Sequence, residues 1–138
     1  MKAFTRGMSG LHRRVYRASG GRVMTKMGPA PVLLLTTTGR RSATPRTTPL
    51  NYLRDGDDLV LVASFGGSAT HPRWYLNFEA NPDVEVQIGA ERHRMRARTA
   101  TPEERARLWP KVVEMYPGYG RYQEKTPREI PLVVLGLP

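Results

Sequence analysis

The sequence contains no cysteine. That absence excludes disulfides, thiolate metal sites and cysteine nucleophiles. Histidine is almost as scarce: His12, His71 and His93 stand far apart without the spacing of metal ligands, so no metal centre is expected. No window approaches the roughly 18 apolar residues of a membrane span; the longest apolar stretches, PVLLL and PLVVLGL, are strand-sized. The N-terminus lacks the apolar core of a signal peptide, and a cytoplasmic protein is expected. There is no G-x-S-x-G nucleophile elbow and no Walker A sequence. The G-x-G of Gly118 to Gly120 neither follows a strand nor opens a helix, so it is not a dinucleotide fingerprint. Covalent and metal catalysis have no residues to rest on.

Acidic residues are also few. Twelve Asp and Glu face 22 Lys and Arg, a net charge of +10 on a chain of 138 residues, the size of one domain. Such an excess implies an anionic partner: nucleic acid, a lipid surface or a negatively charged small molecule. Two basic features compete for that role. In the N-terminal segment 1–27, Met8, Leu11, Val15 and Ala18 form a helical stripe opposite Arg13, Arg14 and Arg17. This helix either packs on the domain or makes a peripheral contact with anionic lipid. Further on, Arg92, Arg94, Arg96 and Arg98 alternate along one strand face. No aromatic platform is interleaved with them, so they read as a solvated face that blunts a sheet edge, and no nucleic-acid partner is expected.

After GPAP the pattern turns to β. Val32 to Thr38 reads as a buried strand, and Arg46 to Leu53 as a second one that Pro49 assigns to an edge or a bulge. RDGDD is a hairpin turn into Asp58 to Ser64. HPRWYLNFEANP suits a short helix from Pro72, halted before Pro82. Val84 to Ile88 and Arg92 to Thr99 form the next hairpin around Gly89. TPEE opens a helix with Thr101 as cap, Pro102 at the first position and Glu104 closing a capping box; Pro110 predicts a kink or a fresh start. IPLVVLGLP closes the chain as a central strand. Six hairpin-paired strands with short helices between them predict an antiparallel barrel or α+β domain.

Two segments suggest a site. In TTTGRRSATPR a strand ends at Gly39, the turn carries Arg40 and Arg41, and Arg46 begins the next strand. Turn amides and arginine forks together can bind a phosphate; an ordinary polar hairpin has the same spacing. In MYPGYGRYQ, Tyr116, Tyr119 and Tyr122 keep helical spacing, but Pro117, Gly118 and Gly120 oppose a helix and predict a mobile flap.

The stretches LLLTTTGRRSATPRTTPLNYL, DDLVLVASFGGSATHPRWYLNFEANPDVEVQI and ATPEERARLWPKVVEMYPGYGRYQEKTPREIPLVVL resemble the deazaflavin-dependent nitroreductase family. The resemblance runs from about Gly10 to Leu135 and rests on T-T-x-G-R-x-x-x-x-P-R, A-S-x-G-G, P-x-W-Y-x-N-x-x-A-N-P and Y-P-x-Y-x-x-Y. It implies a six-stranded, mainly antiparallel split β-barrel with short flanking helices, as a single deazaflavin-binding domain. It implies a reductase that passes hydride from reduced coenzyme F420 to a small acceptor of the quinone, enone or nitro type, with FMN as the lesser alternative cofactor; an F420 carrier without turnover is the alternative function. The F420 tail, a phosphodiester with several glutamates, would account for the basic charge. By similarity Arg40, Arg41 and Arg46 hold that tail. Pro49, Leu50 and Asn51 lie along the ring with Ala63, Ser64, Phe65, Gly66 and Gly67, and Arg73 and Trp74 close the groove. Ser64 and Tyr122 are the expected polar partners of the acceptor, with Tyr116 and Tyr119 shaping its pocket. Ala43 stands where the family commonly has glycine and would strain the turn if that position needs positive φ. A monomer or homodimer is expected.

Overall fold

In the computed structural model, residues 26–27 and 30–138 are described; the expected helix of Met8 to Ala18 lies outside them. The strands are β1 (Lys26–Met27), β2 (Ala30–Thr38), β3 (Pro45–Asn51), β4 (Leu53–Asp55), β5 (Asp58–Val62), β6 (Asp83–Ile88), β7 (Glu91–Thr99) and β8 (Leu132–Gly136). A single 3₁₀ turn covers Phe65–Gly67, and the helices are α1 (Arg73–Ala80), α2 (Pro102–Met115) and α3 (Gly118–Lys125). All described strand pairs are antiparallel, in the order β1-β2-β6-β7-β8-β5-β4, with β3 on the other side of β2.

The sequence predicts six strands, and the described residues form eight. The difference has two sources: the two-residue β1, and a break at Tyr52 that divides the expected Arg46–Leu53 strand into β3 and β4. Tyr52 is buried, and its N–H bonds the Pro31 carbonyl at 3.2 Å, in line with the β2–β3 register, but Pro31 has no N–H to return the bond and the pairing stops there. Among the described residues β3 pairs with β2 alone, so Pro49 lies on an edge strand there.

Alternation explains which strands are central. On β5, Leu59 and Leu61 face a core shared with Leu33, Leu35, Val84, Val86, Ala97, Val133 and Leu135, while Val60 and Val62 face a second core with Leu108, Val112, Ile130 and Leu132. Inward side chains from β2, β5, β6, β7 and β8 thus meet in one cluster, as in a sheet curled upon itself, and Trp74, Tyr75 and Phe78 of α1 pack into it. Helices α2 and α3 cover the second face of β5 and β8. Strands apolar on both faces need cover on both faces.

Helix α2 begins as its sequence dictates. Thr101 Oγ1 accepts from Glu104 N–H at 3.2 Å, and Glu104 Oε1 accepts from Thr101 N–H at 2.9 Å. Arg98 adds a fork to the same carboxylate at 2.7 and 2.8 Å. The Arg98 guanidinium, then the Thr101 amide, hold the Glu104 carboxyl down at about 2. A carboxyl lowered by folding stabilises the fold above its ordinary 4.5, and that contribution fades as pH falls from there to about 2. Thr101→Ala is expected to cost about 1 kcal/mol, read as a lower urea midpoint at unchanged slope; an unchanged midpoint would deny the cap its role.

No fresh start occurs at Pro110: α2 runs through it from Pro102 to Met115. The proline withholds one backbone donor, but Leu108 and Val112 on either side are fully buried, and that packing carries the helix through.

The Arg92–Arg98 stripe is a solvated face. Arg92, Arg94, Arg96 and Arg98 are exposed; Arg96 pairs with Asp83 at 3.5 Å, Arg98 with Glu104, and Arg94 lies in register opposite Glu85. Only Arg96 to Thr99 of β7 pair with β8.

Candidate active site

The β2–β3 turn folds on itself, with Gly39 N–H bonding the Thr44 carbonyl and Ala43 N–H the Gly39 carbonyl, both at 2.8 Å. Ala43 takes φ 58°, so the left-handed position that favours glycine is occupied by a side chain. A Cβ on Gly39 would come within 2.5 Å of Ser42 Oγ, so that position tolerates no side chain without movement.

Across from the turn stands the first turn of α1. Asn77 is buried; its Nδ2 donates to Thr37 Oγ1 at 3.1 Å and its Oδ1 accepts from the Arg40 backbone N–H at 3.1 Å. These two bonds tie the basic turn to the helix. Between them lies a cleft of about 360 Å³ lined by Gly39, Arg40, Arg41, Ser42, Arg46, Thr48, Arg73, Trp74 and Asn77. It gathers all five residues expected to hold the tail or close the groove. No carboxylate among the described residues lies within ion-pair distance of Arg40, Arg41, Arg46 or Arg73. Arg46 donates to Ser42 Oγ at 3.3 Å. Four cations in one cleft, with no described carboxylate beside them, give it a positive field that attracts anions.

Strand β3 leads away from this cleft. Arg46, Thr48 and Leu50 share its half-exposed face, while Thr47 and Pro49 are buried on the other. Asn51 ends the strand, roughly 17 Å from Arg46 at about 3.3 Å per residue. There the Tyr119 hydroxyl reaches Asn51 Oδ1 at 3.5 Å, a long contact.

The tyrosine segment corrects the sequence reading. Tyr116 caps α2, and residues Gly118–Lys125 form helix α3, where a non-helical flap was expected. Packing reverses the propensity. A Cβ at Gly118 would meet the Tyr116 ring at 2.9 Å, so the glycine permits the tyrosine to fold back over the helix start. The three rings pack together, with centroids 4.8 Å apart for Tyr116–Tyr119, 6.2 Å for Tyr119–Tyr122 and 6.3 Å for Tyr116–Tyr122. Tyr119 is buried in the second core, and Tyr116 and Tyr122 pack half-buried against it. The Tyr116 and Tyr122 hydroxyls lie 3.4 Å apart. Burial raises the Tyr119 phenol pKa, and the hydrogen bond with Tyr122 raises that of Tyr116. Both phenols therefore stay protonated near neutral pH and serve as donors.

Beside α3 runs the segment from Ala63 to Gly67. Ala63 is wholly buried in the first core. Ser64 is 7% exposed, and its hydroxyl has no hydrogen-bond partner among the described residues. Phe65 and Gly66 are open to solvent, with φ 47° and 64°. Gly67, at φ 83°, packs so closely on α3 that a Cβ would fall 2.9 Å from the Tyr122 carbonyl oxygen. This contact joins the Ser64 turn to the tyrosines.

Two residues of this architecture have no role in the sequence reading, although Asn77 stands within the quoted P-x-W-Y-x-N motif. Asn77 carries a recoverable signal: it lies one helical turn from Trp74 on the face of α1 that is otherwise apolar. Arg128 carries none, yet its guanidinium bonds the carbonyls of Ala63, Ser64 and Ser68.

A family model described as F420H(2)-dependent quinone reductase matches residues 8–136. The chain belongs to that family. It is 46% identical over 129 residues to the F420H(2)-dependent quinone reductase of Mycobacterium tuberculosis strain H37Rv, covering 91% of this chain and 87% of the relative. Among solved structures it resembles an F420-H2-dependent reductase at 42% identity and a TM-score of 0.70, over 76% of this chain and 93% of the other. A second, described as a domain-swapped dimer, shares 38% identity at a TM-score of 0.73, over 91% and 93%. The family's α+β split barrel is the fold described above. Among the described residues, no helix is long and apolar enough to cross a membrane.

Proposed function

We propose that the protein reduces a quinone with hydride from reduced F420, the cofactor lying along β3 between the basic cleft and the tyrosines. One observation carries this reading: the cleft that gathers Arg40, Arg41, Arg46 and Arg73 opens onto an edge strand whose far end touches Tyr119. The residues fit the cofactor. Its anionic tail matches four arginines without described carboxylate partners, and its ring would meet the unpaired hydroxyl of buried Ser64.

When bound, reduced F420 supplies the hydride. The chain's residues do the rest. The arginine forks fix the tail, Asn77 holds the turn that carries them, Trp74 lines the cleft, and Leu50 presents an apolar surface on the open face of β3. A quinone gains one hydride and one proton to become a hydroquinone. The phenol hydroxyls of Tyr116 and Tyr122, 3.4 Å apart, can donate to the quinone oxygen as charge grows there. Tyr119, buried beneath them, sets their positions.

The test is anaerobic mixing of the protein with reduced F420 and a simple benzoquinone or naphthoquinone, following the return of oxidised F420 absorbance. Turnover well above the protein-free rate is expected. Tight F420 binding without turnover would overturn the reductase reading in favour of a carrier.

A further inference from the structure

Behind the Ser64 turn sits a guanidinium that the proposed reaction does not yet use. Arg128 donates from Nε to the Ser68 carbonyl at 2.8 Å and from Nη2 to the carbonyls of Ala63 at 3.2 Å and Ser64 at 2.8 Å. Its Nη1 bonds His71 Nδ1 at 3.0 Å, so His71 accepts there and carries its proton on Nε2. Four donors are spent on one short segment. A half-buried cation held by three carbonyls and an imidazole nitrogen, with no carboxylate partner among the described residues, is expensive unless its field is useful.

The geometry of the turn shows a use. Ser64 lies in the right-handed helical region, φ −79° and ψ −37°, and Phe65 follows at φ 47°. A right-handed residue followed by a left-handed one turns successive N–H groups toward a common point, the arrangement that cradles anions. The N–H groups of Ser64 and Phe65 have no partner among the described residues, and neither does the hydroxyl of Ser64, which is 7% exposed. A buried residue that leaves both its amide and its hydroxyl unpaired calls for a ligand.

Arg128 acts on these same peptides. The Ala63 carbonyl shares a peptide unit with Ser64 N–H, and the Ser64 carbonyl with Phe65 N–H. A cation bonded to a carbonyl polarises its peptide and strengthens the N–H at the other end. Space is available on the outer side, where a Cβ added to Gly66 would meet nothing within 4 Å.

We propose that the amides of Ser64 and Phe65 with the Ser64 hydroxyl form a cradle for an oxygen bearing negative charge, and that Arg128 is the positioning residue that shapes and polarises it. The oxygen belongs either to the deazaflavin ring or to the quinone. The inference rests on the reading of the site as an F420 reductase, but it is testable separately through cofactor binding.

The experiment compares the parent with Arg128→Lys, which keeps the charge and loses the fork. Dissociation constants for oxidised F420, kcat and the KM for a benzoquinone are measured for both. Loss of a polarised donor set predicts about a hundredfold fall in kcat with little change in KM. An unchanged dissociation constant would then place the quinone oxygen in the cradle, and a dissociation constant raised tenfold or more would place the ring oxygen there. If kcat and the dissociation constant both stay within threefold of the parent, the proposal is overturned. Should Arg128→Lys fail to fold, replacing the Ser64–Phe65 amide by an ester removes only the Phe65 N–H and is read in the same way. A parent without turnover would defeat the reductase reading, while the cradle would still stand or fall on the dissociation constant.

Discussion

Replacing Arg40 and Arg46 together by glutamine is expected to weaken F420 binding on the order of a thousandfold, with the fold intact. Each arginine lines the cleft, and none of the described carboxylates pairs with either. A hydrogen bond to a charged group contributes about 1.5–3 kcal/mol, and two lost forks combine to roughly 3–6 kcal/mol, or two to four powers of ten in affinity. Stability should hardly change. The bond that ties Arg40 to Asn77 comes from the backbone N–H, which glutamine retains, and the only described bond of the Arg46 side chain is a 3.3 Å contact with Ser42. Two controls make the prediction specific. A deazaflavin ring lacking the phosphate and glutamate tail should bind parent and variant alike. The parent's affinity for F420 should fall with added salt, and the variant's should fall less steeply. Equal losses with and without the tail would mean that the arginines shape the ring site instead.

The frame of the fold is legible in the residues because its rules are local. Asp55–Gly56 announces a hairpin, Thr101 to Glu104 a helix start, and the apolar run Leu132–Leu135 a strand covered on both faces. The basic turn is legible as well, since its arginines lie within seven positions of each other, Arg40 to Arg46. The failures share one cause. Pro110 inside α2 and Gly118 and Gly120 inside α3 each break a local preference, and each is overruled by burial of neighbouring side chains that only the tertiary structure supplies. The break at Tyr52 depends on Pro31, far back in the chain. Arg128 reaches residues 60 to 65 positions away, a distance no periodicity can signal. Sequence pattern thus marked the basic turn, through contiguous residues, as either an anion site or a polar hairpin, and the resemblance chose between them. The Ser64 end is assembled from the β5 terminus, α3 and the segment before β8, and only the resemblance to a family pointed there.

Gly67→Ala should be the most damaging single-atom change at that assembled end. Two costs coincide at this position. The residue sits at φ 83°, where an L side chain costs about 1–2 kcal/mol. Its Cβ would also fall 2.9 Å from the Tyr122 carbonyl oxygen and 3.1 Å from the Tyr122 Cα, both backbone atoms that cannot rotate away. Relieving that overlap must move the turn or α3, and overpacking of this kind adds about 1–3 kcal/mol. A total near 3 kcal/mol is expected, read as a lower urea midpoint. Gly66→Ala is the matched comparison: φ is 64°, but nothing lies within 4 Å of the new atom, so only the conformational cost applies. The difference between the two variants measures the contact between the Ser64 turn and the tyrosine helix. The comparison is read on stability alone, because the open space at the Gly66 Cβ is the space the proposed cradle offers its ligand. If Gly66→Ala and Gly67→Ala lost equal stability, close packing of the turn on α3 would have no part in holding the site together.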